Sequence, residues 1–392
     1  MRLIAFTDYV YREVDGVIYA ERAFALFLAA LGDRVEELTI LGRLDDGSGP
    51  MHYALPPQVR FIALPHYDGP KHPLALVRSL LESVGRFWGA LRRADAAFLL
   101  GPSPHSVMFA TLAKLRRRPV VLGVRQDYPS YVRNHRPGVR WLHWAADGLE
   151  LAWLTLARFS PVVTVGPELA RQYRHAPSAL TISVSLISSD DVDAGERAWR
   201  GRDYGGELTI LSVGRLDREK NPLLLVAALA RLRAADPRWR LVICGEGAME
   251  DEVRDSLARH GLTEASELAG YVPIDGGLLE LYRSSHVLLH ASLTEGMPQV
   301  IIEALASGLP VVATAVGGIP GAVEGNAVLI AAGDTDAAVE AVAAVARDGE
   351  LRRRLVTGGL VTARRQTLSA ETERVVAFIE AARRPARAPS AA

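Results

Sequence analysis

H-A-S-L-T-E-G-M-P-Q-V-I-I-E-A-L-A-S-G-L-P-V-V-A-T-A-V-G-G-I-P, residues His290 to Pro320, reads in turn as strand end, loop, helix, strand and Gly-rich loop. The run that leads into it, His286 to Ala291, is short and rich in Val and Leu, which suits a buried parallel strand. Pro298 sits where a helix accepts proline, and Gly308 with Pro310 closes that helix. Val311 to Ala313 make the next strand, and Gly317-Gly318 opens another helix at Ile319-Pro320. The pattern predicts two helix N-termini side by side at the carboxyl edge of one parallel sheet. That edge is where open α/β sheets bind ligands, and helix N-termini there suit phosphate.

Two carboxylates frame the first of these helices, Glu295 and Glu303, 303 − 295 = 8 residues apart. A carboxylate repels phosphate, so this pair is suited to accept hydrogen bonds from hydroxyls. Glu303 lies five residues beyond Pro298, roughly 7.5 Å along a helix axis. A ligand with its phosphates at the helix start would lay a ribose diol beside Glu303 and a sugar beside Glu295. The plain alternative is one loop glutamate and one glutamate on a helix surface.

The chain has 392 residues, long for one domain and comfortable for two. An apolar fraction of 49% provides ample core, and equal Lys+Arg and Asp+Glu counts of 45 argue against bulk nucleic-acid binding. The single cysteine, Cys244, excludes an intrachain disulfide framework and fits a reducing, cytoplasmic compartment. No His/Cys cluster has zinc spacing, and neither a signal peptide nor a spanning segment is expected.

Strand and helix patterns alternate through the first half, from Arg2–Thr7 to Pro161–Val165, as in a parallel α/β domain. Its first strand is followed by a loop holding Gly16 and then a helix ending at Gly32. His105 is expected on the loop after the strand Ala96–Leu100, and R-Q-D (Arg125 to Asp127) on the loop after Val120–Val124. Trp141 to Phe159 is nearly all apolar. It reads either as a core helix or as a surface which, with Trp141, Trp144, Trp153 and the nearby Lys114, Arg116, Arg117 and Arg118, could seat the domain on an anionic bilayer. Polar, Gly-rich residues 191–206 read as a linker containing Asp191 and Asp193, an Asp-x-Asp pair. Beyond it the alternation restarts, with Asn221 placed as a helix N-cap before Pro222. The expected organisation is an N-terminal domain over 1–190, the linker, a C-terminal domain over 207–370, a helix at 371–384 packing back on the first domain, and a disordered tail at 385–392.

V-G-R-L-D-R-E-K-N-P from Val213, G-E-G from Gly245, G-Y-V from Gly270 and the E-G-M-P stretch from Glu295 occur in this order. So arranged they resemble family-4 retaining glycosyltransferases of the GT-B fold, across nearly the whole second half. The resemblance implies two Rossmann-like α/β domains facing each other across a cleft, with a nucleoside-diphosphate sugar bound mainly to the second. It implies transfer of a hexosyl group from a UDP- or GDP-sugar to a hydroxyl of a glycan, lipid-linked or small-molecule acceptor, with no metal or other cofactor and no nucleic-acid partner. Carried onto this chain, Arg215 and Lys220 take the donor diphosphate, Glu295 faces the sugar and Glu303 holds the ribose. Gly296, Met297 and Pro298 form the turn beside sugar and phosphates, Val272 stands by the base, and Gly214 and Gly245 shape the donor loops.

The first half departs from the pattern. Only Gly16 stands where relatives carry a glycine pair, Arg125-Gln126-Asp127 replaces a histidine, S-L-I-S-S replaces an Asn-Gly, and Gly321 replaces a glutamate. Gly16, His105 and Asp127 are the N-terminal candidates. Two other classes stay open: a nucleotide-sugar epimerase or phosphorylase of the same fold, and a non-catalytic nucleotide-sugar-binding relative.

Overall fold

The computed structural model describes residues 1–47, 53–67, 73–296 and 298–383. Met297 and the 385–392 tail of the sequence reading lie outside the described residues. The chain divides into two units, Met1–Leu186 with the chain from Leu368 onward, and Ile187–Thr367.

The first unit runs β1 (Arg2–Val14), β2 (Val17–Ala20), α1 (Phe24–Ala29), β3 (Glu37–Leu44), β4 (Tyr53–Ala54), β5 (Arg60–Pro65), α2 (Pro73–Ala90), β6 (Ala96–Gly101), α3 (Pro104–Leu115), β7 (Val120–Val124), α4 (Tyr128–His135), α5 (Arg140–Ala157), β8 (Val162–Val165), α6 (Pro167–Gln172) and β9 (Ala179–Ile182). Seven strands form a parallel core in the order β5-β3-β1-β6-β7-β8-β9. The first strand is longer than its hydrophobic run suggests. After a register shift between Phe6 and Val10 it pairs again with β3 through Val10 and Tyr11, and its Tyr11–Val14 end forms an antiparallel hairpin with β2. Gly16, expected in a loop before a helix, sits at the tip of that hairpin. Asp15 and Gly16 have φ of 51° and 77°, the left-handed pair that a two-residue hairpin turn needs. The Asp-Gly pair between alternating Val and Tyr carried that signal.

The second unit runs α7 (Ser189–Gly201), β10 (Leu208–Val213), α8 (Pro222–Ala235), β11 (Trp239–Cys244), α9 (Glu250–Arg259), β12 (Ser266–Gly270), α10 (Leu278–Ser284), β13 (Val287–His290), α11 (Gln299–Ala306), β14 (Val311–Thr314), α12 (Ile319–Val323), β15 (Val328–Ile330), α13 (Thr335–Arg347) and α14 (Gly349–Arg365). Its six strands are all parallel, in the order β12-β11-β10-β13-β14-β15. Alternation along each strand sorts the core onto two faces. Ile210, Ile243, Leu289 and Val312 face α8 and α13, while Leu211, Leu288, Val311 and Ala313 pack with α11 and α14. Strand order reverses between β10 and β13, so the crevice beyond their carboxyl ends is the switch point of the sheet.

The segment expected as a linker is mostly helix. Ser188 caps α7 through a reciprocal bond with Asp191, which turns the polar run into a helix start. Asp191 and Asp193 are held by Arg283 (2.9 Å) and Arg364 (3.2 Å). A Cβ on Gly195 would lie 2.0 Å from the Ala306 carbonyl oxygen, so that glycine lets α7 lie directly against the end of α11. The last helix, α15 (Leu368–Arg383), belongs to the first unit. It buries Val375, Val376 and Ile379 in the cluster of Leu3, Ala5 and Phe98, and its Glu371 accepts from the Ser183 amide at 3.0 Å.

Trp153 is fully buried in α5, so the apolar run is in part core. Its outward stripe nevertheless carries Trp141, Trp144, Leu151 and, just past the end, Phe159, at 54%, 69%, 66% and 74% exposure. The helix thus has one buried face and one exposed apolar face. Among the described residues no helix is long and apolar enough to cross a membrane.

Candidate functional site

Three loops meet at the carboxyl ends of β10, β11 and β12. Gly214 donates to the Cys244 carbonyl at 2.9 Å, Gly245 to the Gly270 carbonyl at 2.7 Å, and Leu216 to the Glu246 carbonyl at 2.9 Å. Gly214 and Gly245 have φ of 154° and 141°. A Cβ on Gly245 would sit 2.0 Å from the Gly214 carbonyl oxygen, so the contact admits only glycine. The next turn, Arg218–Lys220, ends at Asn221 in the left-handed region (φ 51°). Asn221 makes no side-chain cap, contrary to the sequence reading; its use is the turn that swings Lys220 back over the sheet.

On the other side of the switch point, the β13–α11 loop is tied down on three sides. Leu293 donates to the Glu219 carbonyl at 2.8 Å, Thr314 Oγ1 to the Ser292 carbonyl at 2.6 Å, and Gly318 to the Gly296 carbonyl at 2.8 Å. Gly317 (φ 53°) passes so close that a Cβ there would lie 1.8 Å from the Glu295 carbonyl oxygen.

This frame delivers Glu295 to Lys220. The Lys220 Nζ donates to Glu295 Oε1 at 2.5 Å, and the same oxygen accepts from His290 Nε2 at 2.9 Å and Ser292 Oγ at 2.7 Å. Among the described residues no bond uses Oε2. The Glu295 side chain is 9% exposed and Lys220's 22%. Burial alone would raise the Glu295 carboxyl. The His290 hydrogen bond and the Lys220 charge outweigh it and hold the group at about 2, so it is a carboxylate throughout the neutral range.

Glu303, on α11, is in the opposite condition. Tyr282, fully buried on α10, donates to its Oε2 at 2.9 Å. Burial pushes the Glu303 carboxyl up, and that one hydrogen bond only partly offsets it. The two glutamates have thus been driven apart, one charged and triply bonded, the other short of partners.

Arg215 and Lys220 have different ion-pair partners. Arg215 is exposed and paired with Asp217 and Glu219 on its own loop. Gly296 is exposed, Pro298 is buried, and Val272 is half-buried against the α10–α11 side of the core. Of the two expected helix N-termini, α11 has eight residues and no side chain capping it, whereas α12 has five. So short a helix adds little dipole, and its Gly-Gly start serves as the clamp on Glu295 instead. The reading of the sequence missed His290, Ser292 and Tyr282. Both His290 and Ser292 lay in the quoted stretch, His290 read as strand end and Ser292 as loop; only a strand-end histidine ahead of a glutamate hinted at them.

In the first unit, His105 is on α3 rather than a loop, and it is fully buried. Its Nε2 meets Ser79 Oγ at 3.1 Å and its ring stacks on Tyr67. Burial depresses its pKa, which fits a core imidazole more than a proton carrier. Asp127 caps α4, accepting from the Ser130 amide at 3.0 Å. Arg125 lies over the Tyr9 ring, 5.0 Å from its centroid.

Residues 196–360 match the family described as Glycosyl transferases group 1. The chain is 34% identical over 216 residues to a D-inositol 3-phosphate glycosyltransferase of Stackebrandtia nassauensis, covering 50% of this chain and 47% of the relative. It is 29% identical over 204 residues to the glycogen synthase of Mycobacterium tuberculosis, 48% of each. It is 35% identical over 113 residues to the phosphatidylinositol N-acetylglucosaminyltransferase gpi3 subunit of Schizosaccharomyces pombe, 29% of this chain and 25% of that subunit. The matches thus span a quarter to a half of these relatives' lengths. Among solved structures, Anabaena Alr3699/HepE in complex with UDP superimposes with a TM-score of 0.68 at 16% identity, covering 97% of this chain and 100% of the other. Sucrose-phosphate synthase from Thermosynechococcus elongatus gives 0.67 at 19% identity, covering 97% and 99%. The chain has the GT-B fold, built from two Rossmann-like units, and its residues 196–360 are similar to the glycosyl transferases group 1 family.

Proposed function

We propose that this protein is a retaining glycosyltransferase that moves a hexosyl group from a UDP- or GDP-sugar to a hydroxyl of a glycan, lipid-linked or small-molecule acceptor. The observation that carries the reading is the Lys220–Glu295–His290 network at the switch point, beside the uncapped start of α11. Similarity to group 1 transferases over this domain, and to a fold solved with UDP, supports it.

In this reading the donor diphosphate lies between the α11 N-terminus and Lys220, with the ribose at Glu303. Lys220 exchanges Glu295 for phosphate, while His290 and Ser292 keep the carboxylate in place. Arg215 joins by leaving Asp217 and Glu219; exposed pairs of this kind are worth about 1 kcal/mol or less, so the exchange is cheap. Charge building on the leaving diphosphate is then met by preorganised cations, with no metal ion required. Glu295 Oε2 faces the sugar, where positive charge develops as the glycosidic bond loosens. The acceptor hydroxyl attacks the same face that the phosphate leaves, and the departing phosphate takes its proton. The exposed α5 stripe is where we place contact with an anionic bilayer carrying lipid-linked acceptors.

The test is a thermal-shift series with UDP, GDP, dTDP and ADP and their sugars, followed by donor turnover with the stabilising sugar. Selective stabilisation with sugar release or transfer is expected. Binding without turnover across acceptors would instead favour a non-catalytic nucleotide-sugar-binding protein.

A further inference from the structure

Parallel strands place all their starts along one edge, and at the amino edge of the first sheet those starts carry an excess of arginine. A groove of about 490 Å³ opens there between α2 and the beginnings of β1, β3 and β5. Arg2, Arg60, Arg86, Arg92 and Arg93 line it, against one carboxylate, Glu37. The sequence explains the space as well as the charge. Gly85 and Gly89 lie on the groove side of α2, and a Cβ at either would meet nothing within 4 Å. Helix α2 therefore stands off the strand starts instead of sealing them.

Internal pairing neutralises this charge only in part. Arg60 reaches Glu37 at 3.4 Å, and Arg2 reaches Asp95 at 3.5 Å. Arg86 donates to the Ala63 carbonyl and lies 3.9 Å from a carboxylate oxygen of Glu82, one turn back on α2. Among the described residues neither Arg92 nor Arg93 forms an ion pair. The C-terminus of α2 favours nearby cations, which accounts for the pair directly after the helix. It does not account for Arg2 and Arg60, which reach the same groove from strand starts. Guanidinium groups gathered from separate elements repel one another, and a multiply charged anion relieves that repulsion while accepting forked hydrogen bonds from each. The volume is that of a small-ligand site, and two phosphoryl groups would span it.

We propose that this groove is a second binding site, at the edge of the first sheet away from its strand carboxyl ends, for a ligand presenting two or more phosphoryl charges. The inference is independent of the transfer reading. The ligand could come as a free phosphorylated metabolite or as the headgroup of an anionic phospholipid; the recognising chemistry is the same.

The experiment is titration calorimetry of the full chain with inorganic pyrophosphate at constant ionic strength, alongside co-sedimentation with phosphatidylcholine vesicles with and without phosphatidylglycerol. Two variants probe the groove. Arg92→Gln/Arg93→Gln removes charge at exposed positions, and Gly89→Leu keeps the charge and fills the space while favouring helix. Both should weaken groove binding by about tenfold or more, whereas Lys220→Ala should leave that component unchanged. Pyrophosphate binding lost in both variants identifies a free phosphoryl ligand. Binding to phosphatidylglycerol vesicles alone, lost in both, identifies a headgroup. Should neither probe bind, or should Gly89→Leu bind as tightly as the wild type, the groove assignment is wrong.

Discussion

The Lys220 ammonium and the Glu295 carboxylate form an ion pair from two neighbouring parallel strands, one in the turn after β10 and the other in the loop after β13. The partners are 75 residues apart in sequence, and they close over the switch point of the sheet. The pair holds the cation over the switch point, and in the proposed reading a donor phosphate competes with Glu295 for it.

Removing the cation tests that role. Lys220→Ala should lower turnover by about a hundredfold or more, as when a preorganised charge stabiliser is lost, and should weaken nucleoside diphosphates more than monophosphates. EDTA should leave the wild-type rate largely intact. Strong inhibition by EDTA that Mg²⁺ reverses would redirect attention to Asp191 and Asp193.

Gly317 tests the clamp. Alanine there meets the Glu295 backbone and must also hold a left-handed φ, which costs about 1–2 kcal/mol before any clash. Gly317→Ala should lower the melting temperature by several degrees and reduce turnover, because the loop carrying Glu295 has to move. Gly325→Ala shares the positive φ (82°) but meets no atom within 4 Å, so it should lose stability alone.

Glu303 gives a pH-dependent prediction. Its carboxyl is raised in the fold, so ionised Glu303 is a penalty that is absent well below the ordinary glutamate range and sets in as the pH rises through its folded pKa. Glu303→Gln keeps an acceptor for Tyr282 and removes the charge. Its melting temperature should exceed the wild type's by about 2–4 °C at pH 8, the scale of 1 kcal/mol for a domain this size, with the difference vanishing near pH 4. An equal gain at both pH values would mean that packing, not ionisation, is responsible.

Trp141 and Trp144 report on the membrane. If the α5 stripe seats on an anionic bilayer, tryptophan emission should shift to the blue on adding phosphatidylglycerol vesicles at low salt, and Trp141→Ser/Trp144→Ser should abolish flotation. Absence of co-migration at low salt would end the idea.

What the sequence made legible, and what it hid, follows from the range of the interactions. Helices and strands of the second unit could be read because each carries its own hydrophobic period and its own Gly or Pro punctuation. The positions of Glu295 and Glu303 beside the switch point followed from the strand, loop and helix pattern, whereas Lys220 was singled out only by the family resemblance. The role of α7 could not be read, because polar residues 188–206 carry little apolar signal and their helix rests on a cap and on Gly195 fitting against α11. His290 was hidden for a similar reason: a strand-end side chain joins a site only once the next loop folds back over it. Arg215 shows the limit of position alone. The family resemblance puts it at the diphosphate, yet Asp217 and Glu219, two and four residues on, pair with it in the structure.

The two glutamates should separate in their kinetics. In the proposed reading Glu303 meets a ribose hydroxyl, which does not change charge during transfer, so Glu303→Gln should raise the donor KM more than it lowers kcat. In the same reading Glu295 acts where charge develops, and its bonds should tighten in the transition state. Glu295→Gln keeps the shape, removes the charge and leaves the nucleotide site standing, so kcat should fall markedly while nucleoside diphosphate still binds. Because Glu295 is held at about 2, it stays ionised throughout the usable range, and any acid limb in the wild-type profile between pH 4 and 7 belongs to another group. His290→Ala supplies the control, since it loosens the carboxylate without touching its charge and should give a smaller loss than Glu295→Gln. Normal transfer by Glu295→Gln, with kcat abolished and KM unchanged in Glu303→Gln, would reverse the assignment of the two carboxylates.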